Sequence, residues 1–367
     1  MAELKSAKLE LWVYGGDVTN VPENPSYTLT KKMLTGHTVI PFEISELVRD
    51  HVTVDFYGNY SDIKQSKWVK YKVTRTYTDD STDNYEKYLI AFRGYGEFDD
   101  GLNPELSRDI MISNRVVHTL CGEQINLPMF VLEDGVTKVT YTQDDDTTDD
   151  LLLGSAALVT ADSDGITADS TTITSDVTAQ RSTDPDSGIS EVPLPTDTNS
   201  ITVTKSDGST EKILIKCIEE CKETPYKVSF VNKFGVIQDM WFFKKRVDSF
   251  TTEREEYKKS IMNVKDSVSF SSSSHKSSYL KNQGKELFTM NTGFIDEGYG
   301  EVVKQLMVSE YVYIHDLGRI NPDDNSTKVY AIKVASSDVD IKTRLNDKLI
   351  NYTLQFEAAS EFIQSIR

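Results

Sequence analysis

Along much of this chain apolar and polar side chains alternate with a period of two, the mark of strands with one face in a core and the other in water. Leu9-Glu10-Leu11-Trp12-Val13-Tyr14 alternates and stops at Gly15-Gly16, a turn signal. Val52-Thr53-Val54-Asp55-Phe56-Tyr57 ends at Gly58-Asn59, and Trp68 to Thr74 alternates cleanly. Tyr88 to Phe92 then runs into Gly94-Tyr95-Gly96. The segment Glu43 to Val48 reads as one helical turn. Strands this short, at this spacing, predict antiparallel β-sandwich packing over residues 1–141 rather than alternating strand–helix–strand units.

The C-terminal part, residues 222–367, opens with a strand at Tyr226 to Phe230, a turn at Asn232-Lys233-Phe234-Gly235 and a returning strand at Val236 to Phe243. A polar alternating stretch with the run Ser271-Ser272-Ser273-Ser274 follows and reads as a flexible connection. A helix is predicted from Ile295 to Ser309, where Val302, Val303, Leu306 and Met307 make one apolar stripe. Asp296 and Glu297 lie near its start, where the helix dipole favours them. Strands resume at Tyr311 to His315, Val329 to Val334, Asp340 to Thr343 and Asn351 to Phe356. One run departs from alternation: Met240-Trp241-Phe242-Phe243 is apolar on both faces if it is a strand. Such a run needs either an enclosed core within one domain or a second protein surface, which makes these four residues candidates for a subunit interface.

Composition changes the picture in the middle of the chain. Residues 142–210 hold 14 Asp and Glu against two basic residues, Arg181 and Lys205, a net of −12 out of −18 for the whole protein. Thr, Ser and Asp dominate and aromatic residues are absent there. The segment reads either as a disordered linker or as a small β module with a heavily solvated surface. Strand-like Thr171 to Thr174, Ser200 to Thr204 and Lys212 to Lys216 favour the β module, the last two joined by a turn at Ser206-Asp207-Gly208-Ser209. The expected organisation is thus mainly β and multi-domain: 1–141, 142–221, and 222–367 with its helix near 295–309.

At 367 residues with 38% hydrophobic side chains the chain is long enough for two or three cores. Its acidic balance argues against a nucleic-acid partner, since phosphate recognition needs a basic surface. The beginning, MAELKSAKLELWVY, lacks the apolar core of a signal peptide, and no stretch has the length of a membrane span. Cys121, Cys217 and Cys221 are too few and odd in number for a disulfide framework, so they are expected as buried thiols in a chain made in a reducing cytoplasm. Cys217 and Cys221 have a metal-pair spacing but no second pair to complete a zinc site. The acidic runs Asp144-Asp145-Asp146 and Asp162-Ser163-Asp164-Gly165 supply oxygen ligands without the spacing of a calcium loop. No nucleophile elbow, zinc-protease motif or phosphate loop is present, and Gly94-Tyr95-Gly96 lacks the third glycine of a dinucleotide fingerprint. Neither an enzyme nor a cofactor is expected.

Several stretches resemble virion structural proteins of tailed bacteriophages, especially phages of Bacteroidetes and marine bacteria. They are Cys221 to Lys227 leading into VSFVNKFGVIQDMWFFKK, NTGFIDEGYGEVVKQLMVSEYVYI at 291–314, KTRLNDKLINYTLQFEAA at 342–359, FEISELVRDHVTVDFYGNY, and GYGEFDDGLNPELSRDIMISN. The likeness touches both ends and skips most of 142–210. It implies a tail-tube-like C-terminal domain, a β-sandwich with one flanking helix, whose copies join in rings of a tail or baseplate. Neighbouring copies would then cover Met240, Trp241, Phe242 and Phe243, with other tail proteins as further partners in the virion. An alternative expectation is a carbohydrate-binding adhesin that presents Tyr95, Phe98, Asp99 and Asp100 on a loop to a host surface glycan. A tail-associated glycan hydrolase or peptidase would need a carboxylate pair or metal site that the sequence does not display.

Overall fold

A computed structural model describes residues 3–16, 19–58, 60, 65–101, 110–123, 125–130, 136–151, 189–194, 196–205, 207–260, 262–264, 267–269, 271–273, 275–320, 327–341 and 349–360. The chain is mainly β, with several antiparallel sheets and two α-helices among the described residues. It divides into two compact units, Met1–Glu219 with Phe230–Met240, and Glu220–Ser229 with Trp241–Arg367.

The first unit holds two larger sheets. Tyr27–Lys32, Leu4–Tyr14, Ser66–Tyr77 and Thr82–Phe92 form a four-stranded antiparallel sheet in that order. The alternation read at Leu9, Leu11 and Val13 is the core face: all three are buried, and Leu11 and Val13 pack with Val69 and with Val48 of the helix Ser45–Arg49. On the other face Trp12, Lys70 and Tyr88 stand side by side across three strands, with the Lys70 ammonium over both rings. Val52 to Tyr57, expected as a strand, forms no ladder beyond an isolated bridge at Asp55. Its alternation is nonetheless used, because Val52, Val54 and Phe56 are buried. Period-two burial needs only extended backbone, not a hydrogen-bonded neighbour.

The second sheet of this unit orders Val116–Leu120, Thr210–Ile218, Thr198–Lys205, Val136–Gln143 and Thr148–Leu151. Its first pair is parallel and the rest are antiparallel. Beside it Ile125–Phe130 pairs with Ile189–Leu194. Ile110, Ile112, Ile125, Leu127, Val139, Ile201, Val203, Ile213 and Ile215 make the core. The hairpin expected around Ser206 to Ser209 is present, with Gly208 at φ +81° and the Asp207 carboxylate accepting from the Ser209 amide. This sheet draws strands from both sides of residue 141, so it does not divide where the composition changes. The expected strand at Thr171 to Thr174 lies outside the described residues.

The second unit is built on a seven-stranded sheet ordered Ile237–Phe242, Tyr226–Val231, Val312–Ile320, Thr327–Val334, Thr353–Ala358, Ser277–Asn291 and Val247–Lys258. The hairpin that begins this order gives its tip, Phe230–Met240, to the first unit. The helix runs over Tyr299–Val308, starting later than predicted because Ile295–Asp296 instead pairs with Leu349–Ile350. Its buried face carries Val302, Val303 and Leu306, while Met307 is only half-buried. Gly300 lets the helix approach its neighbours, since a Cβ there would lie 3.1 Å from Ile341 Cγ2 and 3.2 Å from Tyr352 Oη. Asp340 and Ile341 are not in a strand, and the rest of that expected element lies outside the described residues.

The polar alternating residues on either side of the serine run form a hairpin. Val247–Lys258 pairs with Ser277–Asn291 from Val247↔Thr289 to Lys258↔Ser277, with one irregularity between Glu255 and Glu256. Among the described residues only Leu287 to Asn291 pair on their other side as well, with Thr353–Ala358. Among the described residues the hairpin is a two-stranded ribbon from Glu286 outward.

Candidate functional site

The aromatic run is enclosed within a single chain. Met240, Trp241, Phe242 and Phe243 are 1%, 5%, 0% and 2% exposed. Phe242 meets Phe356 edge-on at 5.5 Å, and Phe356 stacks on Phe288 at 5.7 Å. Trp241 and Phe243, two residues apart on one side of the strand, lie 6.3 Å apart and nearly parallel. Both faces are therefore covered by this chain's own residues, and none of the four presents surface to a second copy. The interface role expected for them is corrected to a core role.

Tyr95, Phe98, Asp99 and Asp100 stand on a loop that the fold holds firmly. Gly94 lies backbone against backbone with the turn Asn232 to Gly235, and a Cβ on Gly94 would come 2.9 Å from the Phe234 carbonyl carbon. Gly235 faces it at φ +83°, a conformation that only glycine adopts without strain. The Tyr95 amide donates to the Lys233 carbonyl at 2.9 Å. Asn232, fully buried, fixes the turn from inside: its amide group donates to the Met111 carbonyl at 2.6 Å and to Gln238 at 3.0 Å. Its side-chain oxygen accepts from the Phe234 amide at 3.0 Å.

Electrostatics complete the clasp. The Lys233 ammonium donates to Glu97 at 3.1 Å and lies 3.6 Å from Asp100. Burial pulls that ammonium down, but the bond to Glu97 and the two carboxylates outweigh it and hold it above the ordinary lysine value. Asp100 accepts from the Glu97 amide at 2.8 Å, which with Lys233 holds its carboxyl below the usual range. The short turn Phe98–Asp100 is thus capped at both ends. Phe98 emerges from it 99% exposed, beside the exposed Asp99 and with Tyr95 40% exposed. The structure brings these expected residues together on one surface.

The ribbon is the larger exposed feature, one that the sequence did not predict. All twelve residues of Val247–Lys258 are exposed, on both faces of the strand. Val247, Phe250, Tyr257, Tyr279 and Leu280 (the last 75% exposed) are apolar or aromatic residues in water, with Met262 and Val268 near the tip. Cross-strand pairs stiffen it: Lys285 with Glu253 at 2.7 Å and Arg254 over the Tyr279 ring at 5.1 Å. At its base a groove of about 380 Å³ is lined by Arg246, Phe250, Phe288, Ile314, Tyr330 and Ile332. The signal in the sequence was the alternation itself, hidden because both faces carry polar residues.

Other chemistry is used internally. Ser229 Oγ and His315 Nε2 are 2.8 Å apart, yet the two residues are 0% and 5% exposed, so a substrate cannot reach them. Asp145 accepts from the Thr147 amide and hydroxyl and so turns the chain between two strands, while Asp150 pairs with Lys138. Asp162 to Gly165 lie outside the described residues. Cys121 and Cys217 form a disulfide, and Cys217 sits in a strand exposed to solvent, as does the free thiol of Cys221 in the following loop. The expectation of buried thiols is corrected: parallel pairing of Val116–Leu120 with Thr210–Ile218 brings together two cysteines 96 residues apart. Among the described residues no three His, Cys, Asp or Glu side chains gather to hold a metal ion, and no helix is long and apolar enough to cross a membrane. No protein-family model, no curated protein and no solved structure matches this chain.

Proposed function

We propose that this protein is a structural component of a tailed-bacteriophage virion, a ring-like part of the tail or baseplate, and that its exposed β ribbon joins copies together. The observation that carries assembly is the ribbon, two strands wide from Glu286 outward among the described residues, with every residue of its outer strand Val247–Lys258 exposed. A two-stranded hairpin alone is marginal in water, and a long edge strand is a template for pairing. A chain that keeps apolar side chains on such an element buries them against a partner, and repeated copies are the simplest partner for a ring. The resemblance of both ends to virion proteins supports the setting. A β domain with one packed helix supports a tail-tube-like assignment for residues 222–367. The mechanism is assembly rather than turnover, with the protein made in the host cytoplasm and carried in the particle. Quantitative mass spectrometry of purified particles tests the setting: the chain is expected in multiple copies per virion, and its absence from particles would remove this function.

A second role is favoured by the fully exposed Phe98 ring on a loop that is already rigid. A flat apolar ring beside the Asp99 and Asp100 carboxylates suits the stacked face and hydroxyls of a sugar. Binding to host surface polysaccharide that weakens tenfold or more in Phe98→Ala is the expected result; equal binding by the variant counts against the loop.

A further inference from the structure

We infer that the Cys121–Cys217 disulfide is a redox latch on the first unit, open in reducing solution and closed in oxidising solution, with the chain folded in both states. The bond fastens Val116–Leu120, which among the described strands lies at the edge of its sheet with the parallel neighbour Thr210–Ile218. Parallel pairing is the weaker kind, so this edge gains most from a covalent tie. The tie closes where the edge strand ends: the Cys121 amide donates to the Ile218 carbonyl at 3.3 Å, and Gly122 at φ +82° turns the chain away. The nine-residue apolar core holds the sheet without the bond, so reduction leaves the fold standing. Cys217 is exposed, which puts the bond within reach of small thiols. On closing, the two thiols give two electrons and two protons to a small-molecule disulfide such as oxidised glutathione, which leaves as two thiols; a dithiol reverses the step. Because 96 residues separate the partners, the latch constrains a long loop of the unfolded chain.

The test is alkylation and melting of the full chain in glutathione buffers. The oxidised protein is expected to show one reactive thiol, Cys221, and the reduced protein three, with unchanged circular dichroism. The unfolding midpoint is expected to fall by about 10 °C on reduction, from the loop-length dependence of disulfide stabilisation. Cys121→Ser and Cys217→Ser should each melt at the reduced value whatever the buffer, while Cys221→Ser keeps the full shift. Three reactive thiols in oxidised native protein, a bond that involves Cys221, an unshifted midpoint, or loss of structure on reduction would each overturn the latch.

Discussion

Phe242 shows what a single side chain decides here. It is fully buried and meets Phe356, which lies more than a hundred positions away in sequence. Local pattern was enough to see that Met240 to Phe243 need cover on both faces, but not that the cover comes from Phe356 and Phe288. Phe242→Ala is therefore expected to cost about 3–5 kcal/mol in urea unfolding and to leave the oligomeric state unchanged. A variant of normal stability but altered assembly would return that residue to an interface. At the clasped loop the residue-scale handle is acid. The Asp100 carboxyl is held low by the Glu97 amide and Lys233, so its contribution is present above its unfolded value of roughly 3.9 and is lost as pH falls through its lower folded value. Protection of the Tyr95 amide, its exchange compared with that of an unstructured peptide at the same pH, is expected to hold from pH 7 to 5 and to fall only at more acid pH, as Asp100 protonates; protection already lost between pH 7 and 5 would show that Asp100 does not hold the loop.

Among elements, hairpins with nearby turn signals were legible. The turns at Asn232 to Gly235 and at Asp207-Gly208 each join two strands, because glycine supplies the positive φ that such turns require. The helix was legible from its apolar stripe, with its first turn misplaced by a competing strand pair. The ribbon was not legible as an arm, because Thr, Glu, Lys and Tyr occupy both of its faces and the strands close only beyond Lys258 and Ser277. Burial leaves a period-two imprint only where one face is covered, and along Val247–Lys258 neither is. Limited trypsin treatment of the isolated chain is expected to cut first between Lys258 and Lys281, with both sheet bodies intact, and far more slowly once copies are assembled. First cuts within Tyr226–Val231 or Thr327–Val334, or equal cutting in the assembled form, would deny the ribbon its role.

For the whole molecule, composition and connectivity tell different stories. The acidic stretch 142–210 stands apart in charge, yet its strand Thr198–Lys205 sits inside a sheet with strands from before and after it. The proposed assembly rests on the exposed ribbon, and the aromatic quartet is no longer a ground for it. Light scattering during size exclusion, on the full chain and on Phe250→Glu with Leu280→Glu, tests the ribbon most directly. The wild type is expected to run as a multiple of its 41.4 kDa chain mass, and the double variant as a monomer with an unchanged circular dichroism spectrum. A wild type that stays monomeric at every concentration, or a double variant that assembles as well as the wild type, would contradict joining through the ribbon.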